Sequence, residues 1–257
     1  MIIEKLVIKT GTVCSLRCEK CGEFNPYFLS KEKSFLLSAE TLCRDVFRIL
    51  MRVARINTIH IAGGEPFLHK DLFLLVNFLT ALPSVGTVEV VTNGTVVPDD
   101  ITLAVLRNCG KKIVVLISDY SEAGVDNRSL IDSFQRQKVN HVVMKEMIWK
   151  DKSDISLKDY SSSDLNEIAK KCSSFRKSYF SLVDGIVTAH CPTAGSLLYY
   201  LDLHRDVTGF FFDLRSACDG EIETKLRELD DKTFTPMCQY CIPTYQASDC
   251  IAGRQLL

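Results

Sequence analysis

The chain has 257 residues, 46% of them hydrophobic, and a net charge of −1, which suits one large domain or one domain with an appendage and is ample for a sizeable core. Balanced charge without a basic run argues against nucleic acid as a partner. The longest apolar runs, such as residues 113–117, fall far short of a bilayer span, and Met1-Ile2-Ile3-Glu4-Lys5 lacks signal-peptide architecture, so a cytoplasmic protein with no membrane partner is expected.

The first β-prone stretch, residues 5–10, leads to a loop carrying Cys14, Cys18 and Cys21 at C-x3-C-x2-C spacing. Three thiols rather than four is the informative number. Structural zinc sites close with four protein ligands, whereas a thiolate-held iron–sulfur cluster can leave one iron free for a ligand that is not protein. Ser38 then caps a helix with apolar positions at Leu42, Val46, Ile49, Leu50 and Val53. A second strand, 58–62, ends on Gly63-Gly64-Glu65-Pro66. Two glycines let the backbone approach a ligand closely, and their carbonyls or the Glu65 carboxylate can accept from an ammonium group. A helix over 70–82 precedes strand 88–91, which ends on Thr92-Asn93-Gly94-Thr95; a helix over 99–109 precedes strand 113–117, which ends on Ser118-Asp119-Tyr120. Both endings also suit ordinary loop turns. A helix over 126–137 and a strand over 141–144 complete the series. Five strands alternating with four helices mean an α/β fold with a parallel sheet and right-handed crossovers, whose reactive end lies where the strands finish.

The alternation stops after Trp149. A polar stretch, 150–163, leads to a short helix expected near Asp164, where Asp164 and Glu167 have capping spacing, and residues 179–189 form two apolar runs around Asp184-Gly185, a hairpin signal. The expected organisation is a core over 1–150 and a small α+β subdomain over 151–257. The latter carries Cys172, Cys191, Cys238 and Cys241, a set able to build either a structural zinc site or a fully ligated cluster. Eleven cysteines, an odd number without a secretion signal, point to metal or cluster ligation rather than disulfides.

The triplet, the Gly-Gly-Glu-Pro turn after the second strand and the later Cys…Cys…Cys-x2-Cys set together resemble radical S-adenosylmethionine (radical SAM) enzymes with a twitch (SPASM-like) auxiliary-cluster subdomain. The resemblance implies a partial (β/α) barrel core. It further implies a 4Fe-4S cluster on Cys14, Cys18 and Cys21, with the open iron chelated by the methionine amino and carboxylate groups of SAM, and reductive cleavage of SAM to a 5′-deoxyadenosyl radical. Gly63, Gly64, Glu65, Pro66, Asn93 and Ser118 become the SAM contacts, Cys172, Cys191, Cys238 and Cys241 the ligands of a second 4Fe-4S cluster, and a flavodoxin- or ferredoxin-type protein the reductant. Lys20 stands where the family usually carries an aromatic residue, with Phe24 close by.

The expected reaction is oxidation of a small polar substrate, a sugar or cyclitol alcohol, to a ketone, with the auxiliary cluster taking the electron. Alternatives are an epimerase in which Cys218 or Cys250 returns the hydrogen, a peptide-modifying maturase, and a zinc-stabilised binding module without catalytic activity. Cys43, Cys109 and His60 read as structural, His69 suits capping or packing as well as function, and His190, beside Cys191, reads as structural, with a hydrogen bond to the auxiliary centre as the alternative.

Overall fold

Five parallel strands alternate with helices, as the periodicity predicts: β1 (Ile2–Lys9), β2 (Arg55–Ala62), β3 (Val85–Thr92), β4 (Ile113–Asp119) and β5 (His141–Lys145). The computed structural model describes residues 1–30, 33–145 and 148–256. A short α1 (Asn25–Ser30) follows the cysteine loop; α2 (Ala39–Leu50), α3 (Leu72–Ala81), α4 (Asp100–Asn108) and α5 (Arg128–Gln137) form the crossovers. Local sequence sets the boundaries. The Ser38 hydroxyl accepts from the Thr41 amide to start α2, and Asp99 does the same for Thr102 at α4. Leu42, Val46, Ile49 and Leu50 face the sheet from α2, and Leu72, Leu75, Val76 and Leu79 from α3. They meet Ile8, Ile59, Ile61, Val88, Val90, Val115 and Ile117 in one continuous core.

The sheet continues into the last third of the chain. β7 (Tyr179–Val183) lies parallel to β1 on the side away from β2, with Lys9 opposite Val183; β8 (Ile186–Ala189) and β9 (Phe211–Asp213) follow antiparallel, giving the order β5-β4-β3-β2-β1-β7-β8-β9. The β7–β8 turn is Asp184-Gly185 as its dipeptide predicts, with φ of 46° and 83°, the two positive values of a type I′ hairpin. α6 (Ser162–Lys171) begins earlier than the Asp164–Glu167 spacing suggests. Ser161 is its cap, in a reciprocal box with Asp164, while Glu167 pairs with Lys170. Two overlapping capping spacings compete here, and the earlier one starts the helix. α7 (Pro192–Leu201) begins directly after Cys191, and α8 (Ile222–Asp230) follows β9. β6 (Ile148–Lys150) pairs with β10 (Asp249–Ile251), Trp149 opposite Cys250. Among the described residues no helix is long and apolar enough to cross a membrane.

Candidate active site

The loops after β1 and β2 are joined by backbone hydrogen bonds beyond the regular strands: the Thr10 amide donates to Ala62 O at 3.0 Å, Gly64 to Gly11 O at 2.9 Å and Glu65 to Val13 O at 2.8 Å. This pairing explains the two glycines. A β-carbon on Gly64 would sit 1.8 Å from the Val13 carbonyl oxygen; one on Gly63, whose φ is 142°, would sit 2.6 Å from Gly11 O. The turn therefore fastens the cysteine loop in place.

Glu65, only 3% exposed, turns its carboxylate to its own chain. It accepts from the Phe67 amide at 3.0 Å, the Thr92 hydroxyl at 2.7 Å and the Asn93 amide at 2.9 Å, tying the end of β3 to the loop. Burial raises its pKa against the pull of these donors.

Cys14, Cys18, Cys21, Gly63, Gly64, Asn93 and Ser118 line one open cleft of about 460 Å3, whereas Glu65 and Pro66 lie behind its wall. The Asn93 side-chain Nδ2 donates to Ser15 Oγ at 3.1 Å and reaches Cys14 Sγ at 3.5 Å. Burial pushes all three thiols up, Cys18 to about 11, and neighbouring thiolates raise Cys14 and Cys18 further. Holding all three as thiolates would take a positive centre beside them, as an iron–sulfur cluster would supply.

Asn25, 5% exposed, also lines the cleft. Its Nδ2 donates to the Gly63 carbonyl at 2.8 Å, which fixes the amide's orientation and leaves buried Oδ1 without a partner. An orphaned acceptor costs about 1–3 kcal/mol. The donor set, three thiols with the polar side chains of Asn93 and Ser118 on one open cleft, fits a cluster and SAM.

The fold brings further side chains to the cleft. Lys20 forms an ion pair with Asp151 at 3.2 Å and donates to Ser153 Oγ at 3.0 Å, fastening the cysteine loop to the segment after β6. Tyr120 and Trp149 line the cleft in edge-to-face contact, their centroids 5.2 Å apart, while Asp119 caps the Ser121 amide. His60 lines the cleft with its Nδ1 2.7 Å from Glu89, which also accepts from Lys5. His69 lies between Leu37 O and the Asp71 amide, a structural position.

The His60 hydrogen bond, with help from Lys5, holds the Glu89 carboxyl at about 2 against an ordinary 4.5. The stability it confers is complete above about pH 4.5 and is lost as pH falls toward 2. Urea denaturation across this range is expected to give a Glu89→Gln variant with a flatter acid limb and its largest deficit above pH 4.5.

Cys172, Cys191, Cys238 and Cys241 line a second, tighter cavity of about 30 Å3, together with Ile168, Phe175, Leu197 and Met237. Burial pushes Cys241 up to about 12, and burial plus the other three thiols raises Cys238. Burial also opposes ionisation of Cys172, but hydrogen bonding by Thr244 and the charge of Lys152 bring its net shift downward. Among the described residues no three His, Cys, Asp or Glu side chains converge on a single metal ion; a cluster takes one thiolate per iron.

Lys152 and Thr193 line both cavities. Cys218 is exposed, and Cys250 lies on β10 with Sγ against Trp149 O; neither lines the cleft. His190 has its ring nitrogens 3.2 and 3.0 Å from the Arg176 and Leu229 carbonyls rather than at a cysteine, because its ring stacks on Phe175. Cys43 and Cys109 pack half-buried against the core.

No protein-family model matches the chain. It is 27% identical over 123 residues to the GTP 3′,8-cyclase of Clostridium acetobutylicum, covering 46% of this chain and 36% of that one. Identity to the GTP 3′,8-cyclase of Acidothermus cellulolyticus is 34% over 95 residues, 36% of this chain and 26% of the relative. The chain thus matches only 36% and 26% of the length of these curated relatives. Two solved structures match along nearly its whole length: BtrN in complex with AdoMet and 2-DOIA (TM-score 0.57, 16% identity, 94% of this chain and 93% of that one) and native anSMEcpe with bound AdoMet (TM-score 0.57, 14% identity, 94% and 89%). At such identities the likeness is one of fold. The cyclase matches are partial, and the likeness to the two AdoMet-bound structures, spanning nearly the whole chain, shows a shared fold.

Proposed function

We propose that the protein oxidises an alcohol carbon of a small sugar or cyclitol to a ketone, using a SAM-binding 4Fe-4S cluster on Cys14, Cys18 and Cys21 and an auxiliary 4Fe-4S cluster on Cys172, Cys191, Cys238 and Cys241. Residues 151–257 form the auxiliary-cluster unit of this reading, and the layout resembles 2-deoxy-scyllo-inosamine dehydrogenase. A flavodoxin- or ferredoxin-type protein supplies the reducing electron. When bound, these groups supply a 5′-deoxyadenosyl radical that takes the carbinol hydrogen and an acceptor for the electron released with the hydroxyl proton.

The observation that carries the reading is the wall shared by the two thiol-lined cavities, in which Lys152 and Thr193 face both. A substrate in the cleft lies one layer of side chains from the four-cysteine centre. The Lys152 ammonium donates to Ser174 Oγ at 3.3 Å, and its positive charge favours the thiolate forms of Cys172, Cys191 and Cys241. Asn93 steadies the Cys14 sulfur, Asn25 holds the Gly63 carbonyl at the cleft wall, and Ser118 lines the cleft at the end of β4. The position of Cys218 and Cys250 outside the cleft favours oxidation over epimerisation by a cysteine hydrogen donor.

Anaerobic purification is expected to give a brown protein with about eight irons per chain that cleaves SAM on reduction. With a panel of deuterated sugars and cyclitols, deuterium should enter 5′-deoxyadenosine and the product should be two hydrogens lighter. A colourless zinc protein sinks the reading; a product that has only exchanged its carbinol deuterium for hydrogen sinks the dehydrogenase assignment alone.

A further inference from the structure

Residues 249–256 form a strap across the cysteine loop. β10 pairs with β6, Gly253 packs so tightly on Tyr120 that a β-carbon would lie 2.5 Å from the ring, and Cys18 forms an antiparallel bridge with Gln255. The backbone of the strap is bonded to both neighbours of Cys18: the Glu19 amide donates to Arg254 O at 2.7 Å, and the Leu256 amide donates to Arg17 O at 2.8 Å. The Gln255 side chain completes the arrangement. Its Oε1 accepts from the Arg17 amide at 2.8 Å, and its Nε2 lies 3.4 Å from Cys18 Sγ, in donating geometry. Reversing the amide would set its NH2 against the Arg17 N–H, so the orientation is determined by its partners. Cys18 is left 8% exposed under this cover.

Resting on the assignment of Cys14, Cys18 and Cys21 as cluster ligands, we infer that Gln255 is a positioning residue that sets the reduction potential of the SAM-binding cluster by donating a hydrogen bond to the Cys18 sulfur. Hydrogen bonds to a cluster's sulfurs, and its exclusion from solvent, are levers on its potential. A donor at a thiolate stabilises the more negatively charged reduced state and therefore raises the potential. The role belongs to the side chain, because the strap's other contacts with the loop are made through backbone.

The test uses the full chain with both clusters loaded, and reads the midpoint potential of the cluster whose electron paramagnetic resonance signal changes on adding SAM. Gln255→Met keeps side-chain length but has no donor; Gln255→Glu presents only acceptors and adds negative charge. Both are expected to hold the unmutated iron content, with the midpoint moved to more negative values, further in the Glu variant. Unchanged midpoints at full iron occupancy overturn the inference. So does loss of iron from both variants, which makes Gln255 a folding element rather than a tuning one. An unmutated protein with no SAM-responsive signal refutes the cluster assignment itself, before the variants are compared.

Discussion

Replacing Cys14 by alanine is expected to lower SAM cleavage to about a thousandth or less of the unmutated rate, as when one member of an interdependent catalytic set is removed, while only half of the iron is lost. The separation follows from the geometry. Cys14, Cys18 and Cys21 share the cleft with Asn25 and Asn93, whereas the other four thiols line their own cavity across the Lys152–Thr193 wall. Cys238→Ala should give the reciprocal result: the other half of the iron disappears, SAM cleavage persists, and ketone formation fails because the substrate electron has no acceptor. Iron assay, 5′-deoxyadenosine quantification and product mass spectrometry on the two variants decide the matter. Full SAM cleavage by Cys14→Ala would refute the assignment of the triplet.

The second large effect is expected from a single methyl group. Gly64→Ala sets a β-carbon 1.8 Å from Val13 O, a backbone atom that cannot rotate away. Relief requires the loop after β1 to separate from β2, with loss of the Gly64–Gly11 and Glu65–Val13 hydrogen bonds, at about 3 kcal/mol or more. Since Val13 precedes Cys14, the variant should retain its circular dichroism spectrum yet fail to hold the SAM-binding cluster. Gly220→Ala is the control, because a β-carbon there meets nothing within 4 Å. Equal iron content in the two variants would show that the Gly-Gly turn does not position the triplet.

What sequence disclosed and what it withheld divide along the range of the interactions involved. β1 to β5, the helices between them and the Asp184-Gly185 hairpin were legible because periodicity, capping residues and turn chemistry act within a few positions. The cysteine triplet and Gly63-Gly64 were legible for the same reason. The place of β7 beside β1 was not, since no local pattern names the partner of a strand 170 or so residues away. Glu65 illustrates a subtler limit. Its motif suggested an acceptor aimed at a ligand, but three donors from its own chain occupy the carboxylate, and the buried acceptor left unpaired nearby belongs to Asn25. Lys152 lay in a stretch read only as polar, and Gln255 in a segment with no motif; each acquires meaning from what the fold sets against it.

The contact between Gln255 and Cys18 spans 237 positions of the chain, and this imposes an order on the protein's birth. The cysteine loop is synthesised well before residues 249–256, with β1 paired on one side at most until β7 appears, and stays open until that later segment folds back over it. Closing so distant a pair comes late because its loop entropy must be met first. On the proposed reading, iron donors would meet three accessible thiols before residues 249–256 cover Cys18.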